Sequence, residues 1–244
     1  MSTNTSVIAL ANKIKEVCLS GYDIYFLHGW VTAASSAPNE IDEDDIAPTY
    51  LLFQNPEALF KVENLEGFMQ ELNEFCNNIV ETTLGSTDPI TPMVNLQQTA
   101  VDFEKLTSEE GRNLLSWIYG YLFSYLANWD NVADYCEDQD LMPELFFAPL
   151  LHLSAAFLIL DKEYNLVNDF SEDAQSDFAD LKMDIYDLWE DKDGGNLLSD
   201  EKLAELEENK LLVISDVGNV TSMLLNFVLD HCIDDATADN NTLN

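Results

Sequence analysis

Basic residues are scarce in this chain: 10 Lys and Arg stand against 46 Asp and Glu, a formal net charge of -36 over 244 residues. Nucleic-acid affinity comes from Lys and Arg displacing counterions from phosphates, so direct binding to DNA or RNA is not expected. An anionic membrane surface is excluded on the same ground. Long apolar runs are also missing. The longest, Leu145 to Leu160, contains Pro149 and His152 and is shorter than the roughly 20 residues a spanning helix needs. Strand signals are nearly absent, with no Asn-Gly turn and no sustained alternation of period two. The four cysteines, Cys18, Cys76, Cys136 and Cys232, form no CxxC pair, which points to buried thiols in a reducing cytoplasm rather than to a disulfide framework. The first residues, Met-Ser-Thr-Asn-Thr-Ser, carry no basic region ahead of an apolar stretch, so a signal peptide is not expected.

Chemical motifs are missing as well. There is no P-loop, dinucleotide fingerprint or Gly-x-Ser-x-Gly elbow. His28, His152 and His231 each fall within apolar helical segments, where a histidine is more often a hydrogen-bonded core residue than a ligand or base. No His/Cys spacing suits a metal. Asp191 to Lys202 has the outline of a calcium loop, with Asp193 third and Leu198 eighth. The loop needs glycine sixth and glutamate twelfth, and has Asn196 and Lys202, so a helix-to-helix turn is the better reading. No cofactor or metal is expected, and an enzyme is not the favoured class.

What is present is helical and aromatic. Trp117 to Trp129 holds six aromatic rings in thirteen residues, with Gly120 among them and no charge. Thr107 and Glu110 make a capping box, predicting a helix from about Ser108 to Asn128 that is buried on nearly all sides. A glycine there costs about 1 kcal/mol against alanine, which close approach of another helix would offset. Tyr25 to Ala33 repeats an aromatic-x-x-Gly-aromatic order around Gly29 and Trp30, and the two segments are expected to pack together. Gly29, Trp30, Trp117, Gly120 and Tyr121 are thus the candidate core.

Around them the apolar spacing predicts further helices. Val7 to Cys18 forms a first stripe ending near Gly21, and Asp23 can cap the second helix, which stops before Pro38. Leu65 to Ile79 is the clearest amphipathic stripe, with Asn64 as cap and Gly85 as stop. Then follow the central helix, a short piece around Val132 to Cys136, and an apolar helix from about Leu141 to Leu160. Ser171 caps a helix reaching Trp189, Ser199 caps another, and Val213 to His231 reads as one long final helix. The fold class is all-α: a main helical core over residues 1–160, acidic C-terminal helices over 161–234 packed on it, and a disordered tail from 235 to 244.

Tyr25-Phe-Leu-His-Gly-Trp-Val-Thr-Ala with Ala37-Pro38 and the acidic stretch after it resembles the first block of the YgfB/YecA-like family of bacterial proteins. The helix through Asn73 and Asn77, the Pro92 loop and Trp117-Ile-Tyr-Gly-Tyr-Leu resemble later blocks in the same order. The resemblance covers roughly residues 5 to 160. It implies an all-helical cytoplasmic protein and defines no biochemical role. Some relatives end in a Cys/His zinc-binding tail, which Asp235 to Asn244 lacks, so no zinc role carries over.

Two kinds of explanation fit the charge: a solvated acidic shell adapted to a salty or cold habitat, or an acidic face that captures a basic protein by electrostatic steering. Asn39 to Pro48 places five carboxylates in the six positions from Glu40 to Asp45, and Asp42, Glu43, Asp44 and Asp45 are the candidate contact residues. The leading expectation is a non-enzymatic cytoplasmic protein that binds a basic protein partner. The competing one is a small-molecule site or enzyme pocket between the aromatic helices, using His28 or a buried carboxylate. Carboxylates spaced like phosphates, as in a nucleic-acid mimic, are a third. A homodimer through the aromatic helices is compatible with all of them.

Overall fold

The computed structural model describes residues 3–36, 50, 56–85, 89–97, 102–138, 146–190 and 196–238. Among these residues the regular elements are helices and the architecture is an all-α multi-helix bundle: α1 (Thr3–Val17), α2 (Ile24–Ser36), α3 (Pro56–Leu59), α4 (Leu65–Gly85), α5 (Ser108–Ala127), α6 (Trp129–Asp138), α7 (Phe147–Tyr164), α8 (Glu172–Leu188), α9 (Asp200–Glu207), α10 (Lys210–Ser215) and α11 (Val217–Ala238). Short 3-10 turns occupy Phe103–Lys105 and Leu166–Asp169.

Five of the helices begin where a side-chain oxygen satisfies their first amides. Asp23 Oδ1 accepts from the Tyr25 and Phe26 amides, each at 2.9 Å, and Asn64 Oδ1 accepts from Gly67 at 3.0 Å. Thr107 and Glu110 form the reciprocal capping box of α5. Ser171 caps α8 and Ser199 caps α9. Such caps contribute about 1 kcal/mol each.

α5 is the spine. Its residues Leu114, Leu115, Trp117, Ile118, Tyr119, Tyr121, Leu122 and Tyr125 have no exposed surface. α2 covers one side of it in the most extensive helix contact among the described residues, and α7 lies on another. Tyr119 joins the C-terminal helices to this core: its ring meets Phe178 of α8 at 5.0 Å and stacks on Phe170 at 5.9 Å. Phe157 of α7 packs on Phe178 at 5.0 Å. One buried apolar cluster therefore runs from Val7 to Val228.

Three expectations shift in the fold. The described part of the apolar helix begins at Phe147, the expected start near Leu141 lying outside the described residues, and it continues past Leu160 to Tyr164, where Asn165 adopts the left-handed conformation (φ 47°) and ends it. The single long final helix is two, α10 and α11, interrupted at Asp216. Asp216 Oδ1 accepts from Asn219 Nδ2 at 2.7 Å, a local side-chain bond of the kind that competes with helix continuation. His152 anchors the shorter piece: its Nε2 donates to the Val213 carbonyl at 2.8 Å. Finally, residues 235 to 238, expected in the tail, lie in α11; 239–244 lie outside the described residues.

Candidate functional site

The seam between α2 and α5 is built on two glycines facing each other's backbone. A methyl group at Gly29 would overlap the Trp117 carbonyl, and one at Gly120 would overlap the Phe26 carbonyl. Neither position tolerates a side chain, and the helices approach until backbone meets backbone. Trp117 stacks on Tyr121 at 5.4 Å, and Tyr121 on Tyr125 at 5.9 Å. Gly29, Trp117, Gly120 and Tyr121 are thus all in the core. Trp30 is only partly buried against it, because one residue beyond Gly29 turns about 100° away from the seam.

Polar groups of the seam are engaged in holding it. Trp117 Nε1 donates to His28 Nδ1 at 2.9 Å, which leaves the imidazole proton on Nε2. Thr32 Oγ1 lies 3.3 Å from the same nitrogen and donates to the His28 carbonyl at 2.7 Å. Burial lowers the His28 pKa to about 4, so the ring is neutral at pH 7. Asp23 Oδ1, already capping α2, also accepts from Ser116 Oγ of α5 at 2.7 Å. Burial pushes this carboxyl above its usual range, against the pull of those three donors. The Cys76 thiol is pushed up to about 12 by burial, which removes it as a nucleophile near neutral pH. His28 and Asp23 therefore act as cross-ties between α2 and α5. The glycine contact and the stacked rings pack the seam closely around Gly29 and Gly120.

A second arrangement lies at the other end of α5. A groove of about 210 Å³ opens between the last turn of α5 and α8, lined by Phe123, Leu126, Ala127 and Leu181 on the apolar side and by Asp177, Asp180 and Asp184 on the other. α8 explains the pairing. Its stripe Ala174, Phe178, Leu181 and Ile185 is buried, and immediately beside it run Asp173, Asp177, Asp180, Asp184 and Asp187. Their alternating spacing of four and three keeps them on one face. Asp177 is held in place by Tyr22, whose buried hydroxyl donates to Oδ2. Among the described residues none of the three groove carboxylates is paired with a cation. The Asp184 carboxyl is raised by desolvation and by the neighbouring charges of Asp180 and Asp187. The C-terminal carbonyls of α5 add partial negative charge at the same place.

The acidic candidates Asp42, Glu43, Asp44 and Asp45 lie outside the described residues, as do residues 191–195 of the calcium-like loop; Asn196, its sixth position, bridges back to Glu190. Among the described residues no His, Cys, Asp and Glu group is arranged to hold a metal. No helix there is long and apolar enough to cross a membrane. The groove was missed from sequence. The carboxylates of α8 read there only as general acidity, although their spacing beside the Phe178 stripe was visible. Comparison of the chain with protein-family models, curated proteins and solved structures returned no match.

Proposed function

We propose that this chain is a non-enzymatic protein that captures a basic protein partner on its acidic surface. The observation that carries the reading is the charge imbalance, 46 acidic against 10 basic residues. Seven ion pairs among the described residues already engage Lys13, Lys105, Arg112, Lys162, Lys182, Lys202 and Lys210. Most carboxylates are left to external cations, and a field of one sign accelerates and selects oppositely charged partners. The polar side chains best placed for chemistry, His28 and Asp23, are committed to hydrogen bonds between helices. Kinship with the YgfB/YecA-like proteins and a cytoplasmic location belong to the same proposal. The seam around Gly29 and Gly120 supports it by giving the two matching sequence blocks a shared packing role.

The test is affinity purification from the native cell extract at low ionic strength, followed by elution in a salt gradient. A stoichiometric basic protein leaving sharply in the gradient is the expected result. Recovery of no specific protein would refute capture and leave the acidity as a property of the whole surface.

A further inference from the structure

We propose that the groove between α5 and α8 is the seat for a Lys or Arg side chain of the partner, and that the aspartate ridge of α8 receives the basic residues flanking it. The inference rests on the capture reading and names where capture occurs.

The groove has the two surfaces a long cationic side chain needs. Phe123, Leu126 and Leu181 offer an apolar wall, against which the methylene stem of lysine or arginine can lie while its charged end stays at the polar edge. At that edge stand Asp177, Asp180 and Asp184. Asp177 is pre-set by the buried hydroxyl of Tyr22, donated from outside α8, so one acceptor needs no ordering when a cation arrives. Repulsion among Asp180, Asp184 and Asp187 is relieved by a positive charge placed between them. The ridge extends the match. From Asp173 to Asp187 the backbone rises about 21 Å at 1.5 Å per residue, enough to meet several basic residues of one segment. An uncharged apolar occupant would bury those carboxylates without compensation, and an acidic one would be repelled.

The probe is a labelled Lys-Leu alternating hexapeptide titrated into the full chain at low ionic strength. Three variants separate the seat from diffuse charge. D180N with D184N removes two exposed groove charges and leaves the Tyr22–Asp177 bond intact. A127W fills the groove from its exposed rim and changes no charge. E66Q with E81Q makes the same charge change as the first pair, on exposed positions of α4. Loss of at least about tenfold in affinity is expected for the first two and less than about twofold for the third, tenfold being about 1.4 kcal/mol. Equal losses for the two charge pairs, unchanged binding by A127W, or no binding by the native chain would each overturn the seat. The same variants are carried through the extract purification. A basic protein retained by all of them would overturn the groove and leave the capture reading standing. A peptide that seats in the groove while no extract protein is recovered would overturn capture itself.

Discussion

His28 combines two buried roles in one ring, and its protonation state can be followed through stability. With Nδ1 occupied by Trp117 Nε1, replacing His28 by leucine strands a buried indole donor, at an expected cost of about 1–3 kcal/mol at pH 7. The folded-state pKa of about 4 lies below the ordinary value of about 6.5. Between those values the unfolded chain binds the proton more readily, so the histidine's advantage is complete above about pH 6.5 and lost as pH falls toward 4. Urea midpoints of the native and H28L proteins should converge across that window, and a constant difference would contradict the assignment. Tyr125 makes the opposite case. Its ring is fully buried and its hydroxyl has no hydrogen-bond partner among the described residues. Tyr125→Phe removes an unpaired polar group and should change stability by less than about 0.5 kcal/mol or raise it; a clear loss in chemical denaturation would reveal a partner for that oxygen.

At the scale of the elements, the contact between α2 and α5 depends on Gly29 and Gly120. Alanine in a helix normally gains about 1 kcal/mol over glycine, yet here the added methyl meets the backbone of the other helix, which cannot rotate away. G29A and G120A are each expected to lose about 3 kcal/mol or more. For a chain of this size that corresponds to a melting temperature lower by roughly 6–12 °C. Gly85 supplies the control, since a Cβ there meets open space; G85A should be neutral or slightly stabilising in the same scans. A wild-type melting temperature for G29A would show that the helices can separate at the seam without penalty.

Over the whole molecule, the net charge of -36 opposes compaction at low ionic strength. Raising NaCl from about 0.01 to 0.15 M shortens the screening length from about 30 to 8 Å, and the melting temperature should rise by several degrees. The seven ion pairs among the described residues are too few, and most of them too exposed, to reverse that sign. A melting temperature that falls over this range would mean that attractive pairs outweigh the repulsion.

Local chemistry by itself determined most of the elements. Thr107 with Glu110, Asp23, Asn64, Ser171 and Ser199 marked helix starts because an N-cap acts on amides within three residues of it. The glycines at 29 and 120 pointed to a close helix pair because a helix-weakening residue in an aromatic segment needs a packing reason. The break at Asp216 was not legible from the apolar stripe, which continues across it; a short side-chain bond and the anchoring of Val213 by His152 decide it. Tertiary structure alone decided the groove. Asp177, Asp180 and Asp184 could be placed on one face of a helix from their spacing, but only the packing of Phe178 against Tyr119 turns that face toward Phe123 and Leu126. Sequence carries the periodicity of each helix, whereas the rotation of one helix against another is fixed by which side chains fit between them.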